Sequence, residues 1–423
     1  MRVAPNIWLA LVTAGAVTAC SAILGIDEPV VDGLLFLEGG SDVRVGDDEG
    51  GTSGEGGGTT CVDPRADCNG GTDGCETDLK TSAANCGACG HACVVTACVA
   101  GRCEPQTLQT GAPLTDYSGY LGLSSTRVVW ANKPSKGVFS APKGGGTFLQ
   151  YFGATAFAPT TLDVHDAFFV VADYDFYGVA RYAIAGGGFE NPKAETCATG
   201  LGAVADAAGA VYYAHLNDTG ECLGAIFHIT KRVPQGGGTY NTAWDIPVSN
   251  FNADTSKWMV LDANNLYFDS STQVSAPNGI YAVSRVAGGT PSLVKAGGYL
   301  SSPMALDGTT LYTIENIFSA TPEVVAIDVS LKTRRVVTMT EHGFFEGTSN
   351  VRAQIAVDAT HVYWTTGVGA ENPSVFGRIM RARKDGTGTS EVVVSDEGGL
   401  HGMAIDESFV YWSSTTAIKR VAK

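Results

Sequence analysis

Val357-Asp358-Ala359-Thr360-His361-Val362-Tyr363-Trp364 reads as two short β strands joined by a tight turn, with the aspartate opening the turn and an aromatic pair closing the second strand. The pattern recurs as Ile405-Asp406 with Val410-Tyr411-Trp412, and as Leu306-Asp307 with Leu311-Tyr312-Thr313. Further upstream it appears as Leu261-Asp262 with Leu266-Tyr267-Phe268, Ala205-Asp206 with Val211-Tyr212-Tyr213, and Leu162-Asp163 with Phe168-Phe169-Val170. A degenerate copy without the aspartate, Leu121-Gly122-Leu123-Ser124 with Val128-Val129-Trp130, opens the series. The pattern therefore occurs seven times between Glu104 and Lys423, at spacings of about 40–55 residues, the period of β-propeller blades.

Each pair is followed by a third alternating strand and then a glycine turn. Gly137-Val138-Phe139-Ser140 precedes Gly144-Gly145-Gly146, and Ile280-Tyr281-Ala282-Val283 precedes Gly288-Gly289. Gly186-Gly187-Gly188, Gly236-Gly237-Gly238 and Asp385-Gly386 occupy the same phase. No Lys-Ser/Thr and no helical pattern follows these glycines, so they read as hairpin turns requiring positive φ, not as phosphate cradles. The seventh copy ends after three strands, the last around Ile418 to Val421. A spare strand, Gln106-Thr107-Leu108-Gln109-Thr110, precedes the first copy and is expected to complete the last blade, leaving no open sheet edge. The fold class is thus all-β, a propeller over residues 104–423 with seven blades, six or eight being the alternatives. The repeats resemble bacterial relatives of the YWTD-type propeller repeats of lipoprotein receptors. They depart from that family in lacking a strict Tyr-Trp-Thr-Asp and in numbering seven where six is usual.

Residues 61–103 hold Cys61, Cys68, Cys75, Cys86, Cys89, Cys93, Cys98 and Cys103. So short a segment with little apolar content cannot build a hydrophobic core, and cross-links are expected to replace one. Zinc would require a second ligand pair at structural-site spacing, haem attachment a histidine directly after the second cysteine, and a redox pair a βαβ setting. Disulfides are the reading, with connectivity open. Asn85-Cys86-Gly87-Ala88-Cys89-Gly90-His91-Ala92-Cys93 resembles the NCGxCGxxC signature of stigma-specific-type cysteine-rich modules.

The first residues give an address. Arg2 and the 13-residue apolar run Ile7 to Ala19 suit an export signal and are too short to span a bilayer. The end of that run, Val17-Thr18-Ala19-Cys20, resembles the lipobox of bacterial lipoproteins. This resemblance implies a signal peptide over 1–19, lipidation of Cys20 and, from Ser21, anchoring in the outer membrane. Residues 20–60 read as an acidic, glycine-rich tether: 21–60 contain nine acidic residues, one arginine and eleven glycines. That stretch carries half of the chain's net charge of −16, so the acidity describes the tether more than any binding face. With only 27 Lys+Arg against 43 Asp+Glu, a nucleic-acid partner is excluded. Taking Cys20 for lipid leaves ten of the eleven cysteines, an even number suited to an oxidising compartment. Cys197 and Cys222, the last two, are expected to bond to each other.

Long connections between second and third strands and between blades emerge on one face of a propeller, and aromatics there suit recognition of a protein, peptide or glycan. Tyr174, Phe176 and Tyr177, Tyr240, Trp244 and Trp258 in an expected long loop from Tyr240 to Trp258, and Phe344 and Phe345 are the candidate binding residues. No GxSxG, HExxH or HxH occurs, the seven histidines are scattered, and Asp173 and Asp175 read as solvated loop acids. The expectation is an envelope binding platform, without cofactor or metal, that is not an enzyme; a structural part of an envelope complex and a propeller lyase or hydrolase are the alternatives.

Overall fold

A computed structural model of the chain describes residues 61–71, 74–110, 120–132, 137–153, 159–173, 178–192, 199–217, 226–247, 258–270, 278–297, 303–316, 321–340, 353–366 and 376–423. Among these residues there is no helix, and seven four-stranded antiparallel sheets make a seven-bladed β-propeller. The first blade comprises Leu121–Leu123, Arg127–Asn132, Gly137–Pro142 and Leu149–Gly153. The second comprises Pro159–Val164, Phe168–Asp173, Gly178–Ala183 and Phe189–Glu190. Thr199–Ala205, Val211–Asn217, Ile226–Gly236 and Thr239–Pro247 form the third. The fourth and fifth blades run from Met259–Leu261 to Gly288–Ala296 and from Met304–Asp307 to Thr333–Met339. The sixth runs from Ile355–Val357 to Glu391–Gly398. The first strands touch their neighbours in sequence around the circle, and that of the seventh blade, Gly402–Ile405, meets that of the first.

The seventh blade contains Gly402–Ile405, Phe409–Ser413 and Ala417–Ala422, and its fourth strand is Gln106–Thr110. Thr110 pairs with Ala417 and Gln106 with Arg420, so the expected closure of the ring is observed. Buried side chains fill the seams between sheets. Trp364 of the sixth blade packs among Tyr312, Ile314 and Val324 of the fifth, and Trp412 belongs to a cluster joining the sixth, seventh and first blades. Burying such aromatics contributes on the order of 2–3 kcal/mol each.

The repeated aspartate does more than cap a turn. Asp406 Oδ1 accepts from the N–H groups of Ser408 and Phe409 at 3.0 and 2.9 Å, while Oδ2 accepts from the Tyr411 hydroxyl at 2.9 Å. Lys143, just after the third strand of the first blade, adds a 2.8 Å ion pair to Oδ2 and lies over the Tyr411 ring. Asp358 repeats the arrangement with Tyr363 (3.0 Å) and with Lys423 (2.9 Å), again a residue just after the third strand of the next blade. Asp206 repeats it with Tyr212 and Arg285, and Asp307 pairs with Lys384 over Tyr312. Four of the seams are thus latched by one blade's aspartate and the next blade's cation.

The two weak copies have physical explanations. In the first blade Ser124 Oγ takes the turn-capping role, accepting from Arg127 N at 3.0 Å. Gly122 replaces a larger residue because a Cβ there would lie 2.4 Å from Val164 Cγ2 of the second blade. In the second blade the alignment of Asp163 with the repeat is corrected by two residues. His165 occupies the turn position, its N–H donating to Phe168 O, and Asp163 instead accepts from Ala205 N of the third blade at 2.7 Å.

The cysteine-rich segment carries four disulfides, Cys61–Cys75, Cys68–Cys89, Cys86–Cys98 and Cys93–Cys103. They close loops of 10 to 21 residues, worth about 3 kcal/mol each in the chain-entropy account. Besides them the segment has two two-stranded sheets, Arg65–Ala66 with Thr77–Asp78 and Cys98–Val99 with Arg102–Cys103. Cys86, Cys93, Cys98 and Cys103 share a buried cluster with Leu108 and Trp412, so the module's interior is continuous with the ring's.

Candidate functional site: the channel and the third blade

The innermost strands of all seven blades enclose a cavity of about 180 Å³ on the ring axis. Polar and apolar atoms share its wall about equally; of the apolar part, Leu121, Met259, Met304, Ile355 and Met403 each come from the beginning of a first strand or the residues beside it. Tyr120 and Trp258, each directly before a first strand, line it as well. First strands begin where the connections between blades arrive, so five blades line the cavity at this long-connection end, while the second and third contribute Thr161 to Asp163 and Ala203 to Val204 from further along their first strands. Connections between blades run to fifteen residues, against two to five between first and second strands. Gln354, buried in the wall, is fixed by accepting from Met403 N while its own N–H donates to Thr365 Oγ1 at 2.9 Å. Asp163 is engaged by Ala205 N and by His165 at 3.0 Å. The cavity therefore offers aromatic and thioether surface beside a comparable polar area, and methionine adapts readily to irregular shapes.

Of the candidate binding residues among those described, Tyr240, Trp244 and Trp258, only Trp258 lines this cavity. The expected loop from Tyr240 to Trp258 is corrected: Tyr240 and Trp244 lie in the fourth strand of the third blade, Thr239–Pro247. Tyr240 is buried, donating to Glu190 Oε2 of the second blade at 2.8 Å. Burial, followed by the Glu190 carboxylate, pushes its hydroxyl well above the usual tyrosine range. Trp244 donates to Arg285 O at 3.2 Å and packs against Gly288, whose φ of +65° and missing Cβ leave room for the indole. Both side chains close seams between blades. The lengthening of strands in this blade explains the misreading, since no turn signal separates the glycine hairpin from Tyr240. Asp173 is likewise corrected: it ends the second strand of its blade and is buried. Tyr174, Phe176, Tyr177, Phe344, Phe345, Cys20, Cys197 and Cys222 lie outside the described residues.

The fold also brings together residues that looked scattered. His215 and His228 are direct partners on the second and third strands of the third blade, both buried, and Asp245 lies on the fourth. The carboxylate accepts from His228 Nδ1 at 2.9 Å and from the Thr230 hydroxyl at 2.5 Å. Partial burial alone would raise the Asp245 carboxyl, but His215, the Thr230 hydroxyl and His228 together hold it down at about 2. The only sequence signal was the position of both histidines near the same connection, one at the end of a strand and one at the start of the next.

No protein-family model and no curated protein matches the chain. Solved structures share its fold. A streptogramin B lyase matches with a TM-score of 0.53 and 14% identity, over 75% of this chain and 97% of that one. The virginiamycin B lyase of Staphylococcus aureus matches with a TM-score of 0.50 and 14% identity, over 76% and 99%. An oligogalacturonate lyase in complex with manganese matches with a TM-score of 0.50 and 11% identity, over 75% and 96%. At such identities the likeness establishes the propeller alone. The expectation that the chain is not an enzyme does not stand. The same ring is found in lyases, and the grouped histidines of the third blade remove the argument from their scatter.

Proposed function

We propose that the chain is an exported, lipid-anchored envelope protein whose propeller binds its ligand at the long-connection end of the channel. Cys20 provides the anchor to the outer membrane, and the acidic residues that follow it in sequence are the linker to the folded part. The observation that carries the reading is the cavity walled by Tyr120, Trp258 and three methionines, with every blade contributing. About 180 Å³ accommodates one aromatic or aliphatic group, since cavities near 150 Å³ accept a benzene ring. The ligand is therefore a peptide, protein or glycan that inserts a single apolar group into the ring axis and spreads its remainder over the surrounding face. Screening immobilised envelope peptides and glycans against the full chain and against Trp258→Ala tests this. A bound species should lose about ten-fold or more in affinity on that substitution, with circular dichroism unchanged. Binding indifferent to Trp258→Ala would overturn the reading.

A second reading, a propeller lyase, is supported by one observation: His215, His228 and Asp245 converge near the long-connection ends of their strands. An imidazole held by a carboxylate is suited to removing a proton from a substrate. Under this reading His228→Gln abolishes turnover of any substrate found, whereas Trp258→Ala alters its affinity.

A further inference from the structure

We infer that His215, His228 and Asp245 form a binding site for a divalent metal ion of the zinc class, built within a single blade. One donor atom from each residue lies within 4.8 Å of the other two. A tetrahedral ion bonded at about 2.0–2.2 Å to two imidazole nitrogens and a carboxylate oxygen holds its donors roughly 3.3–3.5 Å apart. The observed separations lie on both sides of that value: His228 Nδ1 to Asp245 Oδ2 is 2.9 Å and His215 Nε2 to Asp245 Oδ1 is 3.9 Å. These two separations involve different oxygens of the carboxylate, and any two donors lie within 4.8 Å, so reaching the coordinated geometry closes donor pairs by up to about 1.5 Å, within the range of side-chain rotation.

The hydrogen bonds around the cluster assign one donating nitrogen to each ring. An ionised carboxylate only accepts, so Thr230 donates to Asp245, and the Thr230 oxygen in turn accepts from His215 Nε2 at 2.8 Å. His228 donates to the same carboxylate through Nδ1. On binding, the ion takes the place of these two imidazole protons, each ring carrying its proton on the other nitrogen instead. Thr230 remains beside the carboxylate to orient it.

Access and reactivity follow from burial. Both imidazoles are almost wholly enclosed, while the Asp245 side chain is 34% exposed, giving the ion an entry from the carboxylate side. Two imidazoles and one carboxylate are three protein ligands, leaving a fourth position for water or a substrate oxygen, as in catalytic zinc sites. The cysteine group Cys86, Cys93 and Cys103 is no rival, because all three sulfurs are in disulfides.

The inference does not rest on either functional reading, although it takes His228 out of the role of base while the ion is bound, and its readout is metal binding alone. Full-length protein stripped with chelator is titrated with Zn²⁺ against a chromophoric competitor, and separately with Co²⁺ while visible absorption is recorded. One equivalent of Zn²⁺ should bind, and Co²⁺ should give the intense bands of a four-coordinate ion. Asp245→Asn and His228→Gln should each weaken binding about ten-fold or more, and His165→Gln, at a His–Asp pair in another blade, should leave it unchanged. Asp245 sits at a partly open position, so Asp245→Asn tests the site in a chain that still folds. Absence of a stoichiometric site tighter than about 100 μM, or affinity unchanged in both ligand variants, would overturn it.

Discussion

Asp358 shows how much one residue of the repeat contributes. Burial alone would raise its carboxyl, but Lys423, the N–H groups of His361 and Thr360 and the Tyr363 hydroxyl hold it far below the usual range. Asp406 and Asp262 are lowered in the same way, against the same burial, by Lys143 and Tyr267 respectively and by their turn amides. A carboxyl whose folded pKa is depressed adds stability that is complete above its unfolded value, about 3.9, and disappears as pH falls through the folded value. The midpoint of thermal unfolding should therefore hold from pH 7 to about 5 and then fall steeply towards pH 3, and less steeply in Asp358→Asn. At neutral pH, Asp358→Asn should cost about 1–3 kcal/mol in urea unfolding, and adding Lys423→Met to it should cost little more, because the two share one interaction. The aspartates and tyrosines of these latches were legible as a repeated motif. The cations were not, since Lys143, Arg285, Lys384 and Lys423 come from the neighbouring blade, and nothing local marks them as partners.

At the level of elements, the strand Gln106–Thr110 decides whether the ring has an edge. Leu108 is buried in the cluster with Trp412, and Arg420 Nε donates to Gln106 Oε1 at 2.8 Å across the last blade. Placing a charge there by Leu108→Asp in the full chain should release the strand and bare the third strand of the seventh blade. Size-exclusion chromatography with light scattering should then show concentration-dependent association, whereas Gln109→Asp at a half-buried position of the same strand should remain a monomer. This closure was readable because the count of strands came out one short at one end and one over at the other. The fourth strand of the third blade was not, because its alternation carries exposed polar residues and aromatics alike, and tertiary contacts with Glu190 and Gly288 decide where Tyr240 and Trp244 reside. Most of the cavity wall escaped for a similar reason: one to three residues from each of seven distant strands meet only when the circle forms.

Across the whole molecule, the disulfide module and the propeller share one interior. Reduction should therefore lower the unfolding temperature of the ring along with that of the module. Calorimetry of oxidised protein should give a single transition for both, moved downward by reductant, and a propeller transition unmoved by reductant would show the two to be independent. The cysteine count pointed to the cross-links, while their pairing and their burial against Trp412 depended on the three-dimensional arrangement. Gln106 and Arg420 are 314 positions apart, so the bond between them is among the most distant the chain must make. Six sheets can each assemble from neighbouring hairpins, but the seventh waits until the final strand has emerged and found a partner made long before. During that interval the early strand stays unmatched, and a holding factor or the cross-linked module beside it would have to guard that strand until the circle is complete.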